Sequence, residues 1–320
     1  MIPLGEIERA RETIAGAAVR TPLVRLEAPH AEIYLKLENL QPIGSFKIRG
    51  AVNAVRQARP EEIAAGVVTT SAGNMAQGVA WAAREAGVPC TVIVPEHAPD
   101  TKVAAVERLG GKVVRVSFEE WWKALTESGM EGVEGRFVHP VEDELVMAGN
   151  GTIGLELLEE LPDPDVVLIP FGGGGLTVGI ASAVRAFRPE TRVYPVEPET
   201  AAPLAASLAA GSPQEVDYQP SFVDGAGART VLPGMWPRVR EVVDGSLVAS
   251  IEETAAAVRL LAERARVVAE GAGALGVAAA VSGQVDARKI VCIVSGGNID
   301  FSVLAPILAG ESPVGDAARV

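Results

Sequence analysis

Asn39-Leu40-Gln41-Pro42-Ile43-Gly44-Ser45-Phe46-Lys47-Ile48-Arg49-Gly50-Ala51 sets one lysine, Lys47, just after a Pro42/Gly44 turn and at the start of an amphipathic helical pattern. Most lysines of soluble proteins sit on exposed faces. Lys47 stands between Phe46 and Ile48, in a segment that runs into Gly50-Ala51. An apolar setting disfavours the ammonium, lowers the pKa and turns the amine into a nucleophile and base. That is what a Schiff base with a carbonyl cofactor requires. The alternative is a first-turn lysine that simply reaches water, and the rest of the chain weighs on the choice.

Working outward, Ile33–Leu37 alternates as a strand leading into this segment, and helical spacing follows to Ala58, before Pro60. Upstream, residues 6–18 read as a helix that Thr21-Pro22-Leu23 breaks. Downstream the pattern is strand, then helix. Val67–Thr70 precedes a helix over Met75–Ala86, Cys90–Val94 one over Lys102–Leu109, and Lys112–Val116 one over Phe118–Glu127. Val166–Ile169 runs through Gly172–Gly175 into a helix to Phe187, and Arg192–Val196 precedes an Ala-rich stretch over 200–210. Residues 211–235 read as irregular, Ile251–Val268 and Ala272–Val281 as helices, Ile290–Val294 as a last apolar strand, and Gly310–Val320 as a mobile tail. Apolar strands alternating with helices predict an α/β fold of parallel sheets covered on both faces.

The chain has 320 residues, room for one large domain or two medium ones with a substantial core. Its formal net charge of -13 argues against nucleic acid and anionic membranes as partners. Cys90 and Cys292 lie in apolar strand-like runs and read as buried small residues. The N-terminus lacks the features of a secretion signal and no apolar run is long enough to cross a membrane, so a cytoplasmic protein is expected. His30, His97 and His139 are scattered and match no metal-ligand spacing, so no metal site is expected. Glu142-Asp143-Glu144 reads as a solvated loop. Core packing is the favoured reading of Trp121 and Trp122, although one of them can line a pocket.

Three loops follow strands, where parallel sheets place their ligands. Phe171-Gly172-Gly173-Gly174-Gly175-Leu176-Thr177 fits neither the dinucleotide nor the P-loop glycine spacing. Its backbone N–H groups can still wrap a phosphate at a helix start, the alternative being a tight structural turn. Thr70-Ser71-Ala72-Gly73-Asn74-Met75 reads either as a capped helix start or as a nest for a substrate carboxylate, with Asn74 free to bond a cofactor oxygen. Ser295-Gly296-Gly297-Asn298 is either a capped turn or a hydroxyl aimed at a neutral ring nitrogen.

Together these pieces resemble the fold-type II pyridoxal-phosphate enzymes, in the branch of threonine/serine dehydratase (threonine deaminase) and serine racemase. The matching residues are Lys36-Leu37-Glu38-Asn39, Gly44 to Gly50, Ser71 to Asn74 with Ala76-Gln77-Gly78, Ala148-Gly149, Gly151-Thr152, Gly172 to Leu176, Glu270 to Gly273 and Ser295 to Asn298. They come in the family's order and cover nearly the whole chain. The resemblance implies a tryptophan-synthase-β-like architecture of two open, mostly parallel sheets flanked by helices. A small mobile domain (52–147) would be inserted in a large cofactor domain (1–51 and 148–320). It implies pyridoxal 5'-phosphate held by Phe46, Lys47, Asn74, Gly172, Gly173, Gly174, Gly175, Leu176 and Ser295, with a Schiff base at Lys47. Ser71, Ala72, Gly73, Asn74 and Met75 would bind the substrate.

The implied reaction is α,β-elimination from a β-hydroxy amino acid, most simply L-threonine or L-serine, to an α-keto acid and ammonia. Lys47 would take the α-proton, with the enzyme a homodimer or higher homo-oligomer. Alternatives are a dehydratase for a hydroxyaspartate or phenylserine type of substrate, a serine-racemase-like enzyme, or a cofactor-binding protein that has lost its chemistry. Met75 stands where many relatives have histidine, Asn150 where glutamine is usual, and Ala72 where serine racemase has its second acid/base serine. Glu197 is present, but Pro203 replaces an expected acidic metal ligand. The chain length leaves no room for an appended regulatory domain, so feedback inhibition by isoleucine is not expected.

Overall fold

The computed structural model describes residues 1–28 and 31–311. Among these, strands β1 (Leu23–Leu26), β2 (Glu32–Leu37), β3 (Val67–Thr70), β4 (Cys90–Pro95), β5 (Lys112–Val116), β6 (Arg136–Phe137), β7 (Val166–Pro170), β8 (Arg192–Pro198), β9 (Leu247–Ala249) and β10 (Lys289–Val294) form two sheets. The larger has the order β1-β2-β10-β7-β8-β9 and the smaller β5-β4-β3-β6. Every pairing is parallel except β1 with β2, which is antiparallel. The fold is therefore α/β with two open, mostly parallel sheets.

The helices are α1 (Leu4–Thr13), α2 (Lys47–Arg56), α3 (Asn74–Ala86), α4 (Asp100–Arg108), α5 (Phe118–Thr126), α6 (Glu144–Glu160), α7 (Gly175–Phe187), α8 (Pro203–Ala210), α9 (Trp236–Val242), α10 (Ile251–Leu260), α11 (Gly271–Val281) and α12 (Phe301–Ala309). The period of two along β10 shows how they cover the large sheet. Ile290, Cys292 and Val294 face the core shared with α10 and α11, while Val291 and Ile293 face the core shared with α6 and α7. In the small sheet Val67 and Val92 pack on α2 and α3, and Val68 and Ile93 on Ala124 of α5. Both faces of both sheets are buried, which is why their strands read as apolar runs.

A buried ion network anchors α2. Arg49 places both arms of its guanidinium on Glu38 (2.8 and 2.9 Å) and on Glu156 of α6 (2.7 and 2.9 Å). Lys36 of β2 adds a 2.8 Å contact to Glu156. Burial raises the Glu38 carboxyl, but the Arg49 charge and its hydrogen bonds outweigh this and hold it below the usual range.

Several expectations need correction. The helix from Ile251 stops at Leu260, because a π-turn over Leu261–Ala265 leads to Arg266 at φ 60°, a left-handed backbone that no helix continues through. The first helix ends at Thr13, short of residue 18. Glu142–Glu144 is not a free loop, since Asp143 caps α6 by accepting from the N–H groups of Leu145 and Val146. Strands β1, β6 and β9 and helices α6, α9 and α12 went unread. Residues 211–235 are irregular up to Met235, apart from an isolated bridge between Glu215 and Thr230. His30 and the tail from residue 312 onward lie outside the described residues.

Candidate active site

The cleft lies at the C-terminal ends of parallel strands from both sheets. After β10, the chain meets the lysine segment. The Phe46 N–H donates to the Ser295 carbonyl (2.9 Å), the Gly297 N–H donates to the Gly44 carbonyl (2.9 Å), and Ser45 and Gly296 form an antiparallel bridge. This clamp presents Lys47 at the first position of α2. Its Nζ donates to the Pro140 carbonyl (3.1 Å) and lies 5.2 Å from the centre of the Phe46 ring. Burial pushes the amine down to about 8, against an upward pull from Glu270.

After β3, the Ser71 hydroxyl accepts from the Gly73 N–H (3.2 Å), which shapes the turn into α3. No side chain caps that helix, so the capping reading of Ser71 and Asn74 falls. The N–H groups of Asn74, Met75 and Ala76 have no hydrogen-bond partner among the described residues. The Asn74 side chain instead donates through Nδ2 to Glu270 Oε1 (2.8 Å) and accepts at Oδ1 from Asn298 Nδ2 (2.7 Å).

After β7, Gly174 at φ 95° makes the left-handed step into α7 that a side chain would oppose. From Gly172 to Thr177 no backbone N–H has a partner among the described residues, and the buried Thr177 hydroxyl has none either. A run of unpaired donors at a helix N-terminus is an anion site.

Phe46, Lys47, Ser71, Ala72, Gly73, Asn74, Met75 and Ser295 all line one cleft of about 350 Å³. The glycine turn and Leu176 do not reach its wall. They sit directly behind it, with Gly173 against Val141 and Gly172 against Gly225. Residues that sequence reasoning had not assigned complete the wall, notably Lys102, Asp224 and Glu270. The only signal for Glu270 was its place in Glu270-Gly271-Ala272-Gly273, and nothing local marked the other two. Trp121 lines the cleft with Leu125, whereas Trp122 is 37% exposed, so core packing describes neither tryptophan fully. His139 is buried, and its Nδ1 accepts from the N–H groups of Val141 and Glu142. Burial first, with the nearby Lys47 charge, pushes it down to about 4, so it is neutral and ties a turn. Burial pushes Cys90 up to about 12 and raises Cys292 as well, so both are inert thiols.

The family described as pyridoxal-phosphate dependent enzyme matches residues 14–296. The chain belongs to this family. Its cofactor is pyridoxal phosphate and it is an enzyme. The residues present fit that group: a half-buried amine with no carboxylate in contact among the described residues can meet an aldehyde, and the unpaired N–H groups of Gly172–Thr177 can meet a phosphate. The chain is 42% identical to the L-threonine ammonia-lyase of Thermotoga maritima, over 96% of this chain and 78% of that one. It is 36% identical to a catabolic L-threonine dehydratase of Staphylococcus aureus, over 100% of this chain and 95% of the relative. Maize serine racemase superposes with a TM-score of 0.86 at 33% identity, covering 96% of this chain and 97% of that one.

Proposed function

We propose that the enzyme is an ammonia-lyase that converts L-threonine, and L-serine, to an α-keto acid and ammonia. The observation that carries this is the half-buried Lys47 amine in a cleft beside an unpaired helix N-terminus, in a chain so similar to an L-threonine ammonia-lyase. When bound, pyridoxal phosphate supplies the electron sink that makes an α-proton removable. Lys47 would hold that group covalently, and its Nζ, once free, would take the α-proton. The N–H groups of Gly172–Thr177 hold the phosphate. The Asn74 amide would meet the phenolic oxygen, and the Ser295 hydroxyl would meet the ring nitrogen as a neutral donor. The N–H groups of Asn74, Met75 and Ala76, with Ser71, bind the substrate carboxylate. Met75, Trp121 and Leu125 wall the side-chain space. Ala72 offers no proton on the opposite face, which weighs against the racemase alternative despite the likeness to serine racemase.

In this reading residues 52–147 form a small domain that closes on the rest. Lys102 of α4 pairs with Asp224 of the 211–235 segment across the mouth, and Thr101 Oγ1 donates to Asp300 (3.2 Å) alongside. The pair is 24% and 38% exposed, so it is worth at most ~1 kcal/mol, about fivefold in an equilibrium. Lys102→Met and Asp224→Asn should each raise KM up to about fivefold. The reversed pair Lys102→Asp/Asp224→Lys should bring it back, and steady-state kinetics on the three variants decides. Unchanged KM in both single variants sinks the closure contact. The reading extends to a cytoplasmic homodimer, which light scattering tests for size. Among the described residues no helix is long and apolar enough to cross a membrane.

The test of function is ammonia and keto-acid release from L- and D-serine, L-threonine, allo-threonine, 3-hydroxyaspartate and phenylserine. Turnover of L-threonine and L-serine is expected. Turnover confined to the acidic or aromatic substrates overturns the assignment, as does cofactor binding without any keto acid.

A further inference from the structure

Glu270 is the last residue before α11, yet it does not cap its own helix. Its carboxyl turns into the cleft instead and accepts from Asn74. Room for it exists only because residue 296 is glycine, where a Cβ would stand 2.3 Å from Oε1. Among the described residues no cation lies within ion-pairing distance of this buried group. A buried carboxyl with no counter-ion is costly when ionised.

The Ile43 carbonyl can only accept, so the Asn298 atom 2.9 Å from it is Nδ2. That nitrogen also faces Asn74 at 2.7 Å, so the Asn74 atom there is the acceptor Oδ1. The Nδ2 of Asn74 then faces Glu270, and a flip would set the Nδ2 groups of Asn74 and Asn298 against each other. One Nδ2–H is committed to Glu270 and one is left over, on a residue that lines the cleft.

We propose that Glu270 is a positioning residue, whose carboxyl fixes the Asn74 amide so that its second N–H meets the phenolic oxygen of the cofactor. This rests on the reading of Asn74 given above. Burial first, then the nearby Asp224 charge, pushes the Glu270 carboxyl up to about 8. Glutamine keeps what the geometry uses, a side-chain oxygen that accepts from Asn74 at the same reach from the backbone.

The test titrates the full-length protein with pyridoxal phosphate and follows the absorption band of the covalently bound cofactor without substrate. Glu270→Ala should displace the band and weaken cofactor binding at least tenfold. Glu270→Gln should keep the wild-type band, with binding within threefold. A wild-type band and affinity in Glu270→Ala overturn the proposal, as does a Glu270→Gln protein as impaired as the alanine variant. Should Glu270→Ala fail to fold by circular dichroism, Asn298→Ala takes its place. It removes the other bond on the same amide and must also displace the band, and an unmoved band overturns the proposal. Failure of the cofactor reading itself looks different, because the wild-type protein would then show no band at all.

Discussion

Lys47→Ala is expected to lose the absorption band of covalently bound cofactor and all measurable turnover, a fall of roughly 10⁴-fold or more. General base catalysis alone contributes 10²–10⁴-fold, and in the proposed reading the same amine also anchors the cofactor. The environment of the amine makes the size of this effect concrete. With its pKa pushed down to about 8, roughly one Lys47 amine in ten is neutral at pH 7, against about one in 2,500 for an ordinary lysine. Only the neutral amine attacks an aldehyde, so covalent loading of cofactor-free protein should accelerate as pH rises through about 8 and then level off. Stopped-flow absorbance across that range reads both. Residual turnover in the alanine variant, or loading that keeps accelerating to pH 10, would remove Lys47 from the centre of the mechanism.

The second large effect concerns stability. Arg49→Met should destabilise the fold by about 3–5 kcal/mol, because it strands the fully buried Glu38 and leaves Glu156 with Lys36 alone. In melting temperature this is on the order of 10 °C. The pH dependence gives a second readout. In the parent protein the Glu38 pKa is held below its unfolded value. Its contribution is therefore present above the unfolded carboxylate range, near 4.3, and fades as pH falls through the folded value. In Arg49→Met burial prevails and raises the folded pKa, so the sign reverses and the penalty grows as pH rises. Melting curves at pH 5 and pH 8 separate the two. A variant that melts within 2 °C of the parent at pH 8 would mean the network adds no stability.

Much of this was legible in the sequence because it is local. The strand runs of β3, β4, β7 and β10 declare themselves through burial on both faces, and β3, β7 and β10 are each followed at once by a loop that lines or backs the cleft. Lys47, Asn74, the glycine turn and Ser295 stand out for the same reason. What was hidden is of two kinds. Helix α6 is buried almost all round its first dozen residues, from Val146 to Leu157, so it has no polar face to mark it as a helix. β6 and β9 are two and three residues long, too short for any period to show. The other kind is pairing at long range. Nothing near Arg49 names Glu156, and nothing near Asn74 names Glu270, 196 residues away. The helix boundary at Leu260 was missed because Arg266, not glycine or proline, makes the stop.

β10 lies in the middle of the large sheet, between β2 and β7, although it is its last strand in sequence. The clamp on Lys47 joins partners equally far apart, with Asn298 bonded to Ile43 across 255 residues. On the ribosome, then, the small sheet has all its strands long before the large one does. The nascent chain carries Lys47 for most of synthesis without the clamp from the far end of the chain. In the proposed reading, the clamp that presents this lysine to the cofactor can form only once Asn298 has been made.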